Sequence, residues 1–256
     1  MPLFAANLTT MFTEVPFLER FAAASNAGFD AVEFLFPYDH PAPDVAARLK
    51  ESGLTQALFN APPGDWASGE RGIAALPDRT GEFRESIEKA LEYARALDCR
   101  TLHVMAGLVP DPGAYDEMRA CYLENVRYAA DSCQADGVTI VLEPLNSRDV
   151  PGYLMPTSAA VAEIVAEAGR PNVGIQFDFY HVQIMEGDLA RRFEALLDDI
   201  VHVQVSGVPE RHEPNTGEIN YPYLFNLMDR LGYTGYVGCE YHPLGATLDG
   251  LGWLFD

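Results

Sequence analysis

The sequence predicts a single (β/α)8 barrel, an α/β fold of eight parallel strands each followed by a helix. Three observations carry that expectation. Short β-branched or apolar runs alternate with longer amphipathic stretches along the whole chain, the pattern of parallel strands joined by crossover helices. Eight such runs in 256 residues make units of roughly 32 residues, which suits a barrel of ~250 residues. Each run also carries a polar or ionisable side chain at or near its C-terminal end, as expected where a barrel gathers its strand ends around one mouth.

In order, the candidate strands are Leu3–Asn7, Ala31–Phe34, Gln56–Asn60, Thr101–Met105, Val138–Glu143, Val173–Asp178, Val201–Gln204 and Tyr236–Glu240. The clearest helical periodicities between them cover Phe17–Ala27, Glu82–Leu97, Tyr115–Ala135, Ser158–Ala168 and Tyr221–Leu231. Pro37, Pro41, Pro43, Pro62 and Pro63 read as parts of connections, where proline is tolerated. Thr216-Gly217-Glu218 reads as a helix start, with the Glu218 carboxylate suited to the helix dipole. The competing architecture, an open doubly wound sheet, would place a glycine-rich turn after its first strand, and Asn7-Leu8-Thr9-Thr10 has none. No Pro/Gly/Ser linker and no composition shift interrupts the chain, so residues 1–256 read as one domain.

Charge narrows the function classes. With 17 Lys and Arg against 38 Asp and Glu, the net charge is −21, and no basic run offsets it. Such a chain repels phosphate backbones, so nucleic acid is excluded as an expected partner. No apolar run approaches the ~20 residues that span a bilayer, and Met1–Leu8 carries no signal-like segment. The expectation is a cytoplasmic protein with no membrane partner; a homo-oligomer stays open. Cys99, Cys121, Cys133 and Cys239 show no metal or redox spacing and read as reduced thiols.

Four strand ends read as one metal site. Glu143, Asp178, Gln204 and Glu240 close the fifth to eighth strands, about one strand–helix unit apart. They bring three carboxylates and a neutral amide oxygen to one point, a hard, oxygen-only set that favours Mg²⁺ or Mn²⁺ over zinc. The alternative pairs each acid with Arg or Lys, in a chain poor in both.

Glu143-Pro144-Leu145-Asn146, Phe177-Asp178-Phe179-Tyr180-His181, the segment from Gly64 through Asp65-Trp66 to Gly72, and Gly217-Glu218-Ile219-Asn220-Tyr221 resemble the hydroxypyruvate isomerase family. The segments Phe4–Leu8 and Val32–Tyr38 are similar to it too, so the resemblance covers nearly the whole chain. It implies a xylose isomerase-like TIM barrel and a metal-dependent aldose–ketose isomerase, interconverting hydroxypyruvate and tartronate semialdehyde through an enediolate. It also implies Glu143, Asp178, Gln204 and Glu240 as metal ligands, with Glu143 and Glu240 moving protons. The neighbouring readings are a 2-oxo-tetronate isomerase, a ketose 3-epimerase and, further off, a non-catalytic barrel binding a sugar acid. Gln204 stands where many sugar epimerases of this superfamily have His. A nuclease of the endonuclease IV kind would need many His ligands and a basic surface; this chain has six His.

A small anionic hydroxy-oxo acid is then the expected substrate, and its carboxylate needs a cation. Arg71 and Arg211 are the two candidates. Trp66, in the glycine-bearing loop Pro62–Gly72, is expected to cover the site. His181, three residues after Asp178, is expected to reach a substrate oxygen or support a ligand carboxylate. Asn7 and Glu33 are expected to contact substrate as strand ends at the mouth, and His103 and His202 read as structural.

Overall fold

The computed structural model describes residues 2–254. Eight parallel strands close into a barrel in chain order: β1 (Leu3–Asn7), β2 (Ala31–Glu33), β3 (Thr55–Asn60), β4 (Thr101–His103), β5 (Thr139–Leu142), β6 (Val173–Asp178), β7 (Ile200–Val205) and β8 (Tyr236–Cys239), with β8 pairing back onto β1. Closure leaves no sheet edge unpaired. The helices are α1 (Phe17–Asn26), α2 (Ala42–Glu51), α3 (Thr80–Leu97), α4 (Tyr115–Cys133), α5 (Ser158–Ala168), α6 (Phe179–Met185), α7 (Leu189–Leu196) and α8 (Tyr221–Leu231). No helix among the described residues is long and apolar enough to cross a membrane.

The sequence missed α2, α6 and α7. Pro43 lies in the first turn of α2, where its missing N–H has no intrahelical partner to lose, so the prolines start a helix rather than a loop. Helix α6 follows β6 with no loop, because the Asp178 side chain accepts the Tyr180 N–H at 2.8 Å and caps it. The Glu218 helix start is corrected: α8 begins at Tyr221, its cap is Asn220, and Glu218 instead accepts a hydrogen bond from Gln183 Nε2 at 3.0 Å.

The main apolar core lies between strands and helices. On its β6–α7 side Phe177, Phe179 and Phe193 pack ring against ring, with centroids 5.0–5.7 Å apart. The barrel interior is different. Glu33 on β2 reaches His202 and Gln204 on β7, and since β1 and β8 lie between those strands, the contact crosses the lumen. A polar layer therefore underlies the mouth.

Candidate active site

The C-terminal strand ends deliver the chemistry. Asp178 ends β6, Gln204 lies one residue from the end of β7, and Glu143 and Glu240 are the first residues beyond β5 and β8. Glu143, Gln204, Glu240, His181 and Arg211 line one cavity of about 300 Å³, together with Trp66 and Arg71 from the β3–α3 connection.

Three carboxylates, Glu143 and Glu240 in the cavity wall and Asp178 beside it, surround the half-buried guanidinium of Arg211. Arg211 Nη2 lies 3.3 Å from Asp178 Oδ2 and 3.3 Å from Glu240 Oε1. Arg211 holds a left-handed backbone angle, φ 58°, rare for a side chain of this size; its N–H bonds Gly207 O and its carbonyl accepts the His242 N–H, both at 2.8 Å. Burial, then the Glu240 and Asp178 charges, push Glu143 well above the usual carboxylate range. Burial lifts Glu240 to about 7 and Asp178 to about 6, against the pull of Arg211 on both. Glu143 Oε1 is buried with no hydrogen-bond partner. A cluster of carboxylates so desolvated and so short of positive charge fits a divalent cation. Atoms of Glu143, Asp178 and His181 all lie within 4.8 Å of one another, a set that could hold a metal ion through His181 only with Nε2 stripped of its proton.

His181 is built as a donor. Its Nδ1 accepts the Asn146 backbone N–H at 3.1 Å and lies 2.7 Å from Asn146 Nδ2. That amide cannot turn over, because Asn146 Oδ1 accepts the Asp149 N–H at 2.8 Å while Nδ2 donates to Asp149 Oδ2 at 3.1 Å. With Nδ1 accepting, the ring proton belongs on Nε2. Nε2 faces Asp178 Oδ2 at 3.6 Å and Glu143 Oε1 at 3.9 Å, and burial holds the ring's pKa well below that of free histidine. Asn146 and Asp149 were not singled out in the sequence, although Asn146 stands three residues after Glu143 in the Glu-Pro-Leu-Asn motif.

The two candidate arginines differ. Arg211 is held by two carboxylates, whereas Arg71 has no carboxylate partner among the described residues. Arg71 stacks on Trp66, its guanidinium carbon 3.9 Å from the ring centre, and donates through Nη1 to the carbonyls of Trp66 and Glu70. Trp66 rests in turn on Phe36, with centroids 5.0 Å apart. Arg79 pairs with Glu70 and ties down the loop base. At Gly72 a Cβ would come within 2.3 Å of Met105 O, so only glycine lets the loop meet the strand-four connection.

Asn7 and Glu33 do not line the cavity. Asn7 Nδ2 donates to Glu33 Oε1 at 2.9 Å, and both residues are fully buried, so the structure sets them behind the cavity lining rather than in it. His202 Nε2 meets Glu33 Oε2 at 2.6 Å, while His103, pushed down to about 3 by burial, has no hydrogen-bond partner at either ring nitrogen.

A closed parallel barrel with acid-lined strand ends defines the class: residues 21–256 match the xylose isomerase-like TIM barrel model, and the chain belongs to that family. Within it, the chain is 55% identical over 254 residues to the 2-oxo-tetronate isomerase of Cupriavidus necator, covering 99% of this chain and 98% of the relative. The hydroxypyruvate isomerase of Escherichia coli is 41% identical, covering 98% and 97%. A solved structure from Brucella melitensis, described as an AP endonuclease, family 2, superposes with a TM-score of 0.97 at 53% identity, covering 100% of this chain and 98% of that one. The chain is thus an isomerase of the hydroxypyruvate/2-oxo-tetronate isomerase group. The identity is higher to the 2-oxo-tetronate isomerase than to the hydroxypyruvate isomerase of the family expected from the sequence.

Proposed function

We propose that this protein isomerises 2-oxo-tetronate, a four-carbon 2-oxo acid, by moving its carbonyl from C2 to C3. The observation that carries the reading is an anion-ready arginine, Arg71, lining the same cavity as two glutamates held above the usual carboxylate range, Glu143 and Glu240. The higher identity to 2-oxo-tetronate isomerases selects the four-carbon acid over hydroxypyruvate, which would undergo the same chemistry one carbon shorter.

Each part of the reaction has a residue. Arg71 uses Nη1 on backbone carbonyls, which leaves Nε and Nη2 as a fork for the substrate carboxylate. One of Glu143 and Glu240 removes the proton from C3, giving an enediolate across C2 and C3; the hydroxyl proton passes from the C3 oxygen to the C2 oxygen, and the other glutamate returns a proton at C2. Burial lifts Glu240 to about 7, where a carboxyl group can give as well as take a proton at neutral pH, and raises Glu143 well above the usual carboxylate range. His181 Nε2–H donates to the substrate oxygen that gains charge. Trp66 covers the cavity against water. Glu143, Asp178, Gln204 and Glu240 would hold Mg²⁺ or Mn²⁺, and such an ion supplies Lewis-acid stabilisation of the enediolate oxygens when bound. A nuclease reading has no support from a chain of net charge −21.

The test is proton exchange in D₂O. Purified protein with Mg²⁺ or Mn²⁺ should incorporate deuterium at C2 and C3 of the 2-oxo-tetronate pair, with a higher kcat/KM than for hydroxypyruvate, and EDTA should abolish it. A higher kcat/KM for hydroxypyruvate would reassign the substrate. No carbon-bound exchange with either acid would refute the isomerase chemistry.

A further inference from the structure

The wall that β3 and β4 give to the cavity takes no part in the reaction above. Side chains two residues apart on a strand share a face, which puts Leu58 and Asn60 of β3 together in the lining. Asn60 ends the strand with its backbone held on both sides. Its N–H donates to Leu35 O at 2.9 Å, its carbonyl accepts the Tyr38 hydroxyl at 2.6 Å, and the next N–H, of Ala61, donates to His103 O at 2.9 Å. Its side-chain amide, in contrast, has no hydrogen-bond partner among the described residues, although Asn60 is only 5% exposed. A buried amide with neither end paired is costly unless a molecule entering the cavity pairs with it.

The surroundings state what that molecule offers. Leu35, Leu58, Met105 and Leu145 frame the cavity with apolar surface, and the Thr9 hydroxyl is already taken by the Leu35 N–H at 2.8 Å. His103, the register partner of Asn60 on β4, has both ring nitrogens unpaired but sealed, and its Nδ1 lies 3.6 Å from Glu143 Oε2. A hydroxymethyl group suits such a wall: its methylene meets apolar side chains, and its hydroxyl can donate to the amide oxygen or accept from the amide N–H. The 2-oxo-tetronate skeleton has one such group, C4, and hydroxypyruvate has none beyond C3. Glu143 acts at C2 or C3 and C4 is bonded to C3, so this group falls beside the strands next to Glu143.

We propose that Asn60 is a specificity-determining residue: its side-chain amide takes the C4 hydroxyl and so selects four-carbon 2-oxo acids that carry it over shorter or 4-deoxy acids. This rests on the isomerase reading proposed above. The clamped backbone of Asn60 presents the amide in place before substrate arrives, so little ordering opposes the contact.

The experiment compares kcat/KM for 2-oxo-tetronate with that for its 4-deoxy analogue, in which CH₃ replaces CH₂OH, with Mg²⁺ present and melting temperatures measured alongside. The analogue keeps the carboxylate, the carbonyl and the C3 hydroxyl and lacks only the group assigned to Asn60. The parent should prefer 2-oxo-tetronate by about tenfold or more, because the analogue leaves a buried amide unpaired. Asn60→Leu, near in size but without donor or acceptor, should lose about tenfold on 2-oxo-tetronate and stay within about threefold on the analogue. Equal losses on the two acids would make Asn60 structural and overturn the proposal. Should Asn60→Leu not fold, Asn60→Ala gives the same comparison, read as a ratio of two substrates within one variant so that a loss of stability cancels; a parental ratio there would equally overturn it. The two readings fail separately. If the parent exchanges no carbon-bound proton of either acid in D₂O, the isomerase reading fails and the role of Asn60 falls with it. If the parent turns over both acids with equal kcat/KM, the isomerase reading stands and only the role of Asn60 falls.

Discussion

Replacing Arg71 by methionine removes the proposed carboxylate fork while keeping an apolar chain to cover Trp66. Hydrogen bonds to charged groups contribute about 1.5–3 kcal/mol. Arg71 is half-buried, so solvent screening places it in the lower part of that range, at about 1.5–2 kcal/mol. Converted at ~1.4 kcal/mol per tenfold, kcat/KM for 2-oxo-tetronate should fall about 10- to 30-fold. The assay compares this acid with the neutral tetrulose in which CH₂OH replaces the carboxylate; the tetrulose should change by less than about threefold. Arg71→Lys should recover only part of the loss, since an ammonium keeps the charge and lacks the planar fork. Equal losses on acid and tetrulose would assign Arg71 to loop structure. An unchanged acid would move the carboxylate site elsewhere, with Arg211 the first alternative.

Glu143→Gln and Glu240→Gln should each lower kcat by about 10²–10⁴-fold, with Mn²⁺ still bound, and should differ in which carbon still exchanges in D₂O; near-parental turnover in both would leave them as ligands only. Asn146→Asp puts an acceptor where His181 Nδ1 now receives a donor, so the ring proton should move off Nε2 in nitrogen-15 NMR and kcat should drop about 10²-fold; a ring that keeps its Nε2 proton with unchanged kcat contradicts the donor role. Phe193→Ala opens a cavity between α7 and β6 and should cost about 3–5 kcal/mol by denaturant unfolding; a cost below 1 kcal/mol would mean that the cluster with Phe177 and Phe179 contributes little.

The barrel was legible because its strands are short, apolar and evenly spaced. β1 and β6 fall on the expected residues, and the others differ by one or two at either end. Helix α2 was hidden by prolines that act as helix starters, and α6 by a strand-end aspartate that is also a cap. In the site, residue types at strand ends pointed to acid-rich chemistry, since strand ends converge whatever the details of packing. Orientation was not legible. Nothing in the sequence says that Glu33 turns inward to β7 rather than up to substrate, or that His181 Nδ1 is claimed by Asn146, because both depend on contacts between residues 35 to 171 positions apart.

The same limit explains why the two arginines could not be ranked from the sequence, and why the structure ranks them. In a chain with 38 acidic and 17 basic side chains, an arginine has an acid within reach almost anywhere. Arg95, Arg119, Arg127 and Arg170 are all paired on the surface, and Arg211 is paired inside the cavity. Arg71 escapes that fate through geometry: Trp66 takes the face of its guanidinium and two carbonyls take one nitrogen, while the loop's own acid, Glu70, is claimed by Arg79. The arrangement keeps a positive charge uncommitted beside a cavity whose walls are carboxylates. An anionic substrate entering against a net charge of −21 meets there the one cavity arginine, among the described residues, that it need not take from another acid.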